Sequence, residues 1–248
     1  MSSLFGKLSV DDSEDIRKYT RHNLKTWSFD KIFRKYNVTT WFVILNVACY
    51  LIFNILILFN SDFLSYIALQ PDNFFSGQVW QLITSMFMHG SLTHLFVNMI
   101  SLFFIGNFVE KLIGRKRIFW VYMISGIFAG LLFVSLSYFF GMTVWGAKLF
   151  GSPEVFAVGA SGAIFGLGGL LAMLTPRLRV YVFFFLPMRM WTAMVFLLGV
   201  LWLASIGAGL PFGNTAHLGG LIVGLVYGLY LKKKYKKKTK AISKYFSG

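Results

Sequence analysis

Six apolar stretches, residues 39–59, 91–113, 118–140, 161–175, 190–208 and 215–231, leave this chain few ways to fold. Most approach the about 20 residues that a helix needs to cross a bilayer. Inside hydrocarbon every backbone N–H and C=O must find a partner within the protein, so such stretches cross as helices. Apolar residues make up 56% of the 248 and charged ones 13%, more apolar surface than a soluble domain of this size can hide. The expectation is an all-α membrane protein with six spans. The fourth span is the shortest, and Pro176 marks its end.

The connections are read the same way. Residues 1–38 are polar and mixed in charge, a tail or a small amphipathic surface segment. Residues 60–88 contain Pro71, Gly77 and Trp80 and are too broken to span; Phe63, Tyr66, Phe74 and Phe75 suit them to the interface. Residues 141–158 form a Gly-containing connection, 177–189 join the fourth and fifth spans, 209–214 form a short turn, and 232–248 are a lysine-rich tail. The acidic Asp11, Asp12, Glu14 and Asp15, without an early apolar core, predict no cleavable signal peptide. The single cysteine, Cys49, excludes an internal disulfide.

With six spans the 24 Lys and Arg divide very unevenly. Eight precede the first span, four follow the second (Lys111, Arg115, Lys116, Arg117), three lie between the fourth and fifth, and eight end the chain. Lys148 alone falls on the other side, with Asp62, Asp72 and Glu154. An odd number of spans would scatter this bias. The positive-inside rule therefore predicts that both termini are cytoplasmic, and the expected location is the plasma membrane. The net charge of +15 is topological, with residues 232–240 anchoring at anionic headgroups and no nucleic-acid partner.

Polar side chains within spans are costly, so each is a candidate for function. The second span opens with His89, Ser91, Thr93 and His94, and Asn98 follows on the His94 face. The fourth opens with Gly159-Ala160-Ser161-Gly162-Ala163, a serine among residues small enough for close backbone approach, at a helix start with free N–H groups. The sixth opens with Asn214-Thr215-Ala216-His217, then Gly219, Gly220, Gly224 and Gly228. Gly220, Gly224 and Gly228 form a four-spaced stripe that presses this helix on a neighbour, with Gly162, Gly166 and Gly169 the expected partners. These three spans run in one direction, so His89, His94, Asn98, Ser161 and His217 fall in one layer near the outer face. Singly, each histidine reads as a cap or a buried hydrogen-bond partner. Together they read as a catalytic layer, with His89, Ser91, Thr93 and Asn214 lining a small wet cavity.

Elimination narrows the chemistry. No His-Glu-x-x-His pair is present, no aspartate lies in a span, and Gly159–Ala163 lacks the second glycine of a nucleophile elbow. Three histidines in one layer leave a metal site open, though none is expected. What remains is a serine activated by a histidine without a carboxylate. A small transporter with a histidine proton relay is the competing class, and the absence of mid-depth acids argues against it. Glu110, at the basic end, is expected to pair with Lys111 or Arg115 or to cap the loop.

His89 with His94 and Asn98, Gly159-Ala160-Ser161-Gly162, Ala216-His217 before Gly219, Gly220 and Gly224, and Glu110-Lys111 resemble the motifs of rhomboid intramembrane serine proteases over residues 40–231. Many members carry Trp-Arg where this chain has Trp80-Gln81. The resemblance implies a six-transmembrane-helix rhomboid bundle with a long membrane-associated first outer loop, its protease domain over 39–231. It implies Ser161 as nucleophile, His217 as general base, and His94, Asn98 and the Ser161 N–H as oxyanion donors, with His89 supporting them through water. It further implies no cofactor, no metal, and transmembrane protein substrates entering between the second and fifth spans, with residues 209–214 as a movable cap. A catalytically silent relative that binds client helices is the alternative, and the intact Ser161 and His217 argue against it.

Overall fold

The computed structural model describes residues 36–183, 185–208 and 213–245. Residues 1–35 of the expected 1–38 tail and most of the cap at 209–214 lie outside the described residues. In chain order, α1 (Val38–Phe59) is followed by three short helices, α2 (Phe63–Ile67), α3 (Pro71–Phe75) and α4 (Gln81–Thr84), and a 3₁₀ turn at Ser85–Phe87. The second span is composite: α5 (Leu92–Ser101), a π-helical stretch at Leu102–Gly106, and α6 (Asn107–Ile113). Then come α7 (Arg115–Phe140), α8 (Val144–Phe150) and α9 (Ser161–Leu174). A hairpin of β1 (Arg179–Val182) and β2 (Leu186–Arg189) precedes α10 (Met190–Ala208), α11 (Asn214–Lys234) and α12 (Lys236–Tyr245).

Five of the six bundle helices are long and apolar enough to cross a bilayer, and α9 is an apolar helix of 14 residues. At 1.5 Å per residue α9 spans about 21 Å, short of the ~30 Å hydrocarbon core. It takes the central place: 11 of its 14 residues are buried, among α7, α10, α11 and the composite second span. A helix apolar on all sides belongs in such a position. By contrast α1 and α10 turn leucines outward, with Leu58 86% and Leu203 71% exposed, as lipid-facing helices do.

Small residues let α9 and α11 touch backbone to backbone. A methyl group at Gly220 would land on the Gly162 carbonyl oxygen, and one at Gly224 on the Gly166 carbonyl oxygen. Gly169 meets the Leu221 carbonyl, while Gly228, the last of the stripe, faces the Met173 side chain instead of a glycine. Gly162 and Gly166 also back onto Ala129 and Ser125 of α7. With lipid as apolar as leucine, such close contact is what holds spanning helices together.

The first outer loop is pinned by polar bonds. Gln81 is fully buried; its Oε1 accepts from Gln70 N (3.1 Å), and its Nε2 donates to Ser65 O (2.6 Å) and Gln78 Oε1 (2.9 Å). Trp80 Nε1 donates to Tyr66 O at 2.9 Å, leaving both rings about half exposed at the surface. The neutral Gln81, where many rhomboid sequences carry Arg, thus organises this loop.

At the basic end the elements are tied by longer-range bonds. The Glu110 carboxylate accepts from Val38 N (2.9 Å), Thr39 N (2.9 Å) and Thr39 Oγ1 (2.8 Å), so it caps the first turn of α1. Its partner is thus neither an adjacent cation nor its own loop but a helix start 72 residues away, a better site for a carboxylate because its N–H groups are orphaned. Arg115 donates to Tyr36 O at 2.7 Å, and Arg117 to Tyr235 Oη at 3.1 Å. The helix of the last span continues to Lys234, and the lysine-rich segment after it is helical over Lys236–Tyr245. The link at 177–189 is a hairpin, whose alternating Val180, Val182, Leu186 and Met188 turn inward.

Candidate active site

Ser161 is the first residue of α9, and the loop before it is fixed at three points. Leu69 and Ala157 exchange both backbone hydrogen bonds (3.1 and 2.8 Å), and Gly159 N donates to Ser85 O at 2.9 Å. Gly159 has φ +119°, a conformation that L side chains rarely adopt. A Cβ there would also stand 2.8 Å from His94 Nε2. Glycine is therefore required twice over, for the turn that delivers Ser161 and for the approach of His94.

His217 lies in the first turn of α11, its N–H bonded to Gly213 O at 3.0 Å. The glycine contacts between α9 and α11 bring the two helix starts side by side. The result is a hydrogen bond of 2.8 Å between Ser161 Oγ and His217 Nε2. The imidazole stacks on Phe165, with centroids 4.6 Å apart, and its Nδ1 is buried without a hydrogen-bond partner among the described residues. No carboxylate orients this ring there; packing does. Phe165 received no role in the sequence reading, yet it lies four residues after Ser161, on the same helix face.

His94 sits in the first turn of α5, where Ser91 Oγ caps its N–H at 3.1 Å. Asn98 Nδ2 donates to His94 O at 2.9 Å. His89 is buried behind His94, the rings edge to face with centroids 5.1 Å apart. Burial, then repulsion from a charged His94, pulls the His89 pKa down to about 4, and the Phe87 backbone offsets this in part.

A cavity of about 570 Å³ opens beside Ser161, lined by His94, Gly159, Gly162, His217, Ser91 and Asn214 among others. Asn98, His89 and Thr93 are not among the residues on its wall: the first two are buried, and Thr93 is exposed on the helix surface. Asn214 Nδ2 donates to Ser205 Oγ of α10 at 2.7 Å, joining the helices on either side of residues 209–212. Among the described residues no cluster of His, Cys, Asp and Glu is arranged to hold a metal ion. The arrangement suits nucleophilic chemistry: a hydroxyl in contact with an imidazole, at a helix start whose first N–H groups are unbonded within the helix.

The depth of the site follows from two helices independently. Leu174, ending α9, and Lys232, near the end of α11, line one cavity at the basic end of the bundle. Ser161 is 13 residues before Leu174, and His217 is 15 before Lys232. Both therefore lie at about the same height in the bundle, about 20–22 Å along their helices from the basic end, a distance shorter than the ~30 Å of a hydrocarbon core.

A family profile described as Rhomboid domain matches residues 76–234. The chain is 35% identical over 177 residues to Rhomboid protein 1, mitochondrial, of Saccharomyces cerevisiae, an overlap of 69% of this chain and 47% of that one. It is 34% identical over 156 residues to RHOMBOID-like protein 5 of Arabidopsis thaliana, with 62% and 45% covered. Against RHOMBOID-like protein 12, mitochondrial, of the same plant it is 28% identical over 202 residues, with 79% and 59% covered. The chain thus spans about half the length of the curated relatives it matches. With the profile covering most of the chain and lying on the helices that carry Ser161 and His217, the protein belongs to the rhomboid family.

Proposed function

We propose that this protein is an intramembrane serine endopeptidase that cuts transmembrane segments of other membrane proteins near the outer face. The observation that carries the reading is the 2.8 Å contact between Ser161 Oγ and His217 Nε2 beside a cavity sunk within the bundle. His217 takes the Ser161 proton as Oγ attacks the scissile carbonyl, then gives it to the leaving amine. A water activated by the same ring hydrolyses the acyl-serine. The Ser161 N–H and His94 are the first donors to the oxyanion. Asn98 adds the second hydrogen of its amide, the first being held by His94 O. His89 supports His94 from behind, and Gly159 and Gly162 hold the loop and helix start in place.

A substrate helix must unwind to present a peptide bond, so Gly or Pro near the cleavage point favours cutting. In this reading the chain is a multi-pass plasma-membrane protein with a spanning domain over 39–231 between two flanking segments, and the charge asymmetry supports cytoplasmic placement of both termini.

The test is cleavage of a single-span substrate in liposomes by the wild type beside Ser161→Ala and His217→Ala, with fluorophosphonate labelling of all three. Both variants are expected to be inactive, and the label to fall on Ser161 alone. Folded wild type that neither labels nor cleaves would instead favour a silent, client-binding rhomboid relative.

A further inference from the structure

The end of the bundle opposite Ser161 holds a second cavity, of about 790 Å³. Three segments distant in sequence build it: the end of α9 with Arg177, the end of α11, and α12. Five of its nine lining side chains are cations, Arg177, Lys232, Lys233, Lys236 and Lys240, and none of the lining described is acidic. Glu110, the carboxylate at this end among the described residues, is engaged with the first turn of α1. Leu174 and Leu229, from two spanning helices, add an apolar wall beside the cations.

The terminal helix is docked, not trailing. Thr239 is 4% exposed, and Tyr235 and Ile242 pack on the main hydrophobic cluster, so one side of α12 is turned to the bundle. Arg117 holds the helix junction through Tyr235 Oη at 3.1 Å. Lysines of a docked helix stand at fixed positions, whereas those of a loose tail would only raise the local potential.

A ligand for this cavity must carry an anionic group rich in acceptor oxygens next to an alkyl chain, and it must reside where spanning helices end. We propose that the cavity binds one anionic phospholipid of the leaflet on the basic side. Its phosphate sits among Arg177, Lys232, Lys236 and Lys240, and an acyl chain runs along Leu174 and Leu229. This differs from diffuse attraction to anionic headgroups, which needs no cavity and no particular lysines.

Native mass spectrometry of the full chain in detergent tests it, with phosphatidylglycerol, phosphatidylcholine of the same chains, or soluble glycerol 3-phosphate added. One phosphatidylglycerol is expected to be retained, phosphatidylcholine not, and glycerol 3-phosphate is expected not to displace the lipid. The triple variant Lys232→Gln, Lys236→Gln, Lys240→Gln should weaken retention about a hundredfold. Lys116→Gln, Lys237→Gln, Lys238→Gln removes equal charge from residues outside the lining and should keep it within about threefold. Arg177→Gln, outside α12, should weaken it about fivefold even if the lysine variant loses its terminal helix. Equal weakening by the two triple variants, indifference to headgroup charge, or displacement by glycerol 3-phosphate would overturn the proposal.

Discussion

Phe165 lies nearly face-on to the His217 imidazole, with ring planes 20° apart and centroids separated by 4.6 Å. Because Phe165 follows Ser161 by four residues, one face of α9 supplies both the hydroxyl and the platform for its base. A serine triad fixes its imidazole with a carboxylate on the far nitrogen. Here the far nitrogen is buried with no described hydrogen-bond partner, so the stack and the Ser161 contact orient the ring.

Phe165→Ala should therefore lower kcat about 2- to 12-fold, the equivalent of an aromatic pair worth about 0.5–1.5 kcal/mol, with KM little changed. Phe165→Tyr should restore most of the rate. Steady-state cleavage of a single-span substrate reads both. An unaltered kcat in Phe165→Ala would mean that the ring is held by something else.

Gly220 packs so tightly on α9 that a Cβ there would meet the Gly162 carbonyl oxygen, one residue along the chain from Ser161. Gly220→Val pushes α11 away from α9 and lengthens the Ser161–His217 contact. The expected result is loss of cleavage with normal membrane insertion and helical content by circular dichroism. Gly228→Ala, opposite the more yielding Met173 side chain, should lose far less. Comparable activity in Gly220→Val and the wild type would remove the packing account.

Five of the six bundle helices were legible because a bilayer sets a minimum length on a crossing helix, and the short α9 because its apolar run stops at Pro176. The convergence of Ser161 and His217 was legible too, since both open helices running in the same direction. What escaped the sequence has local physical causes. The inward residues of the 179–189 hairpin alternate over only four positions a strand, too few to stand out among long apolar runs. The π-helical stretch at Leu102–Gly106 leaves no mark in composition; it coincides with Gly106 pressing on the Thr39 side chain, a contact between distant segments. Phe165 looked like one more apolar residue, and Glu110 offered nearby cations as decoys for a partner 71 residues away.

That partner gives a stability prediction. Glu110 satisfies two backbone donors and one hydroxyl of a spanning helix, and its removal leaves them buried and unbonded. Glu110→Ala should cost roughly 2–3 kcal/mol, within the range for losing charged hydrogen bonds, read as a lowered Tm in detergent. Ser161 should still label with a fluorophosphonate below the transition. A Tm equal to the wild type's would show that α1 does not depend on this cap.

His89 sets an acid limit on the fold. Its pKa falls from the usual 6.5 to about 4, chiefly through burial and then through repulsion by His94. The unfolded chain then takes up a proton below pH 6.5 that the folded chain refuses until about pH 4. The stabilisation from keeping His89 neutral is thus fully present above 6.5 and is lost as pH drops towards 4, with no further loss below. The Tm of the wild type should decline across that window. In His89→Gln, which keeps a polar side chain but cannot titrate, the decline should be shallower, even if the variant starts from a lower Tm. Parallel slopes for the two proteins would mean that His89 is not the group being protonated.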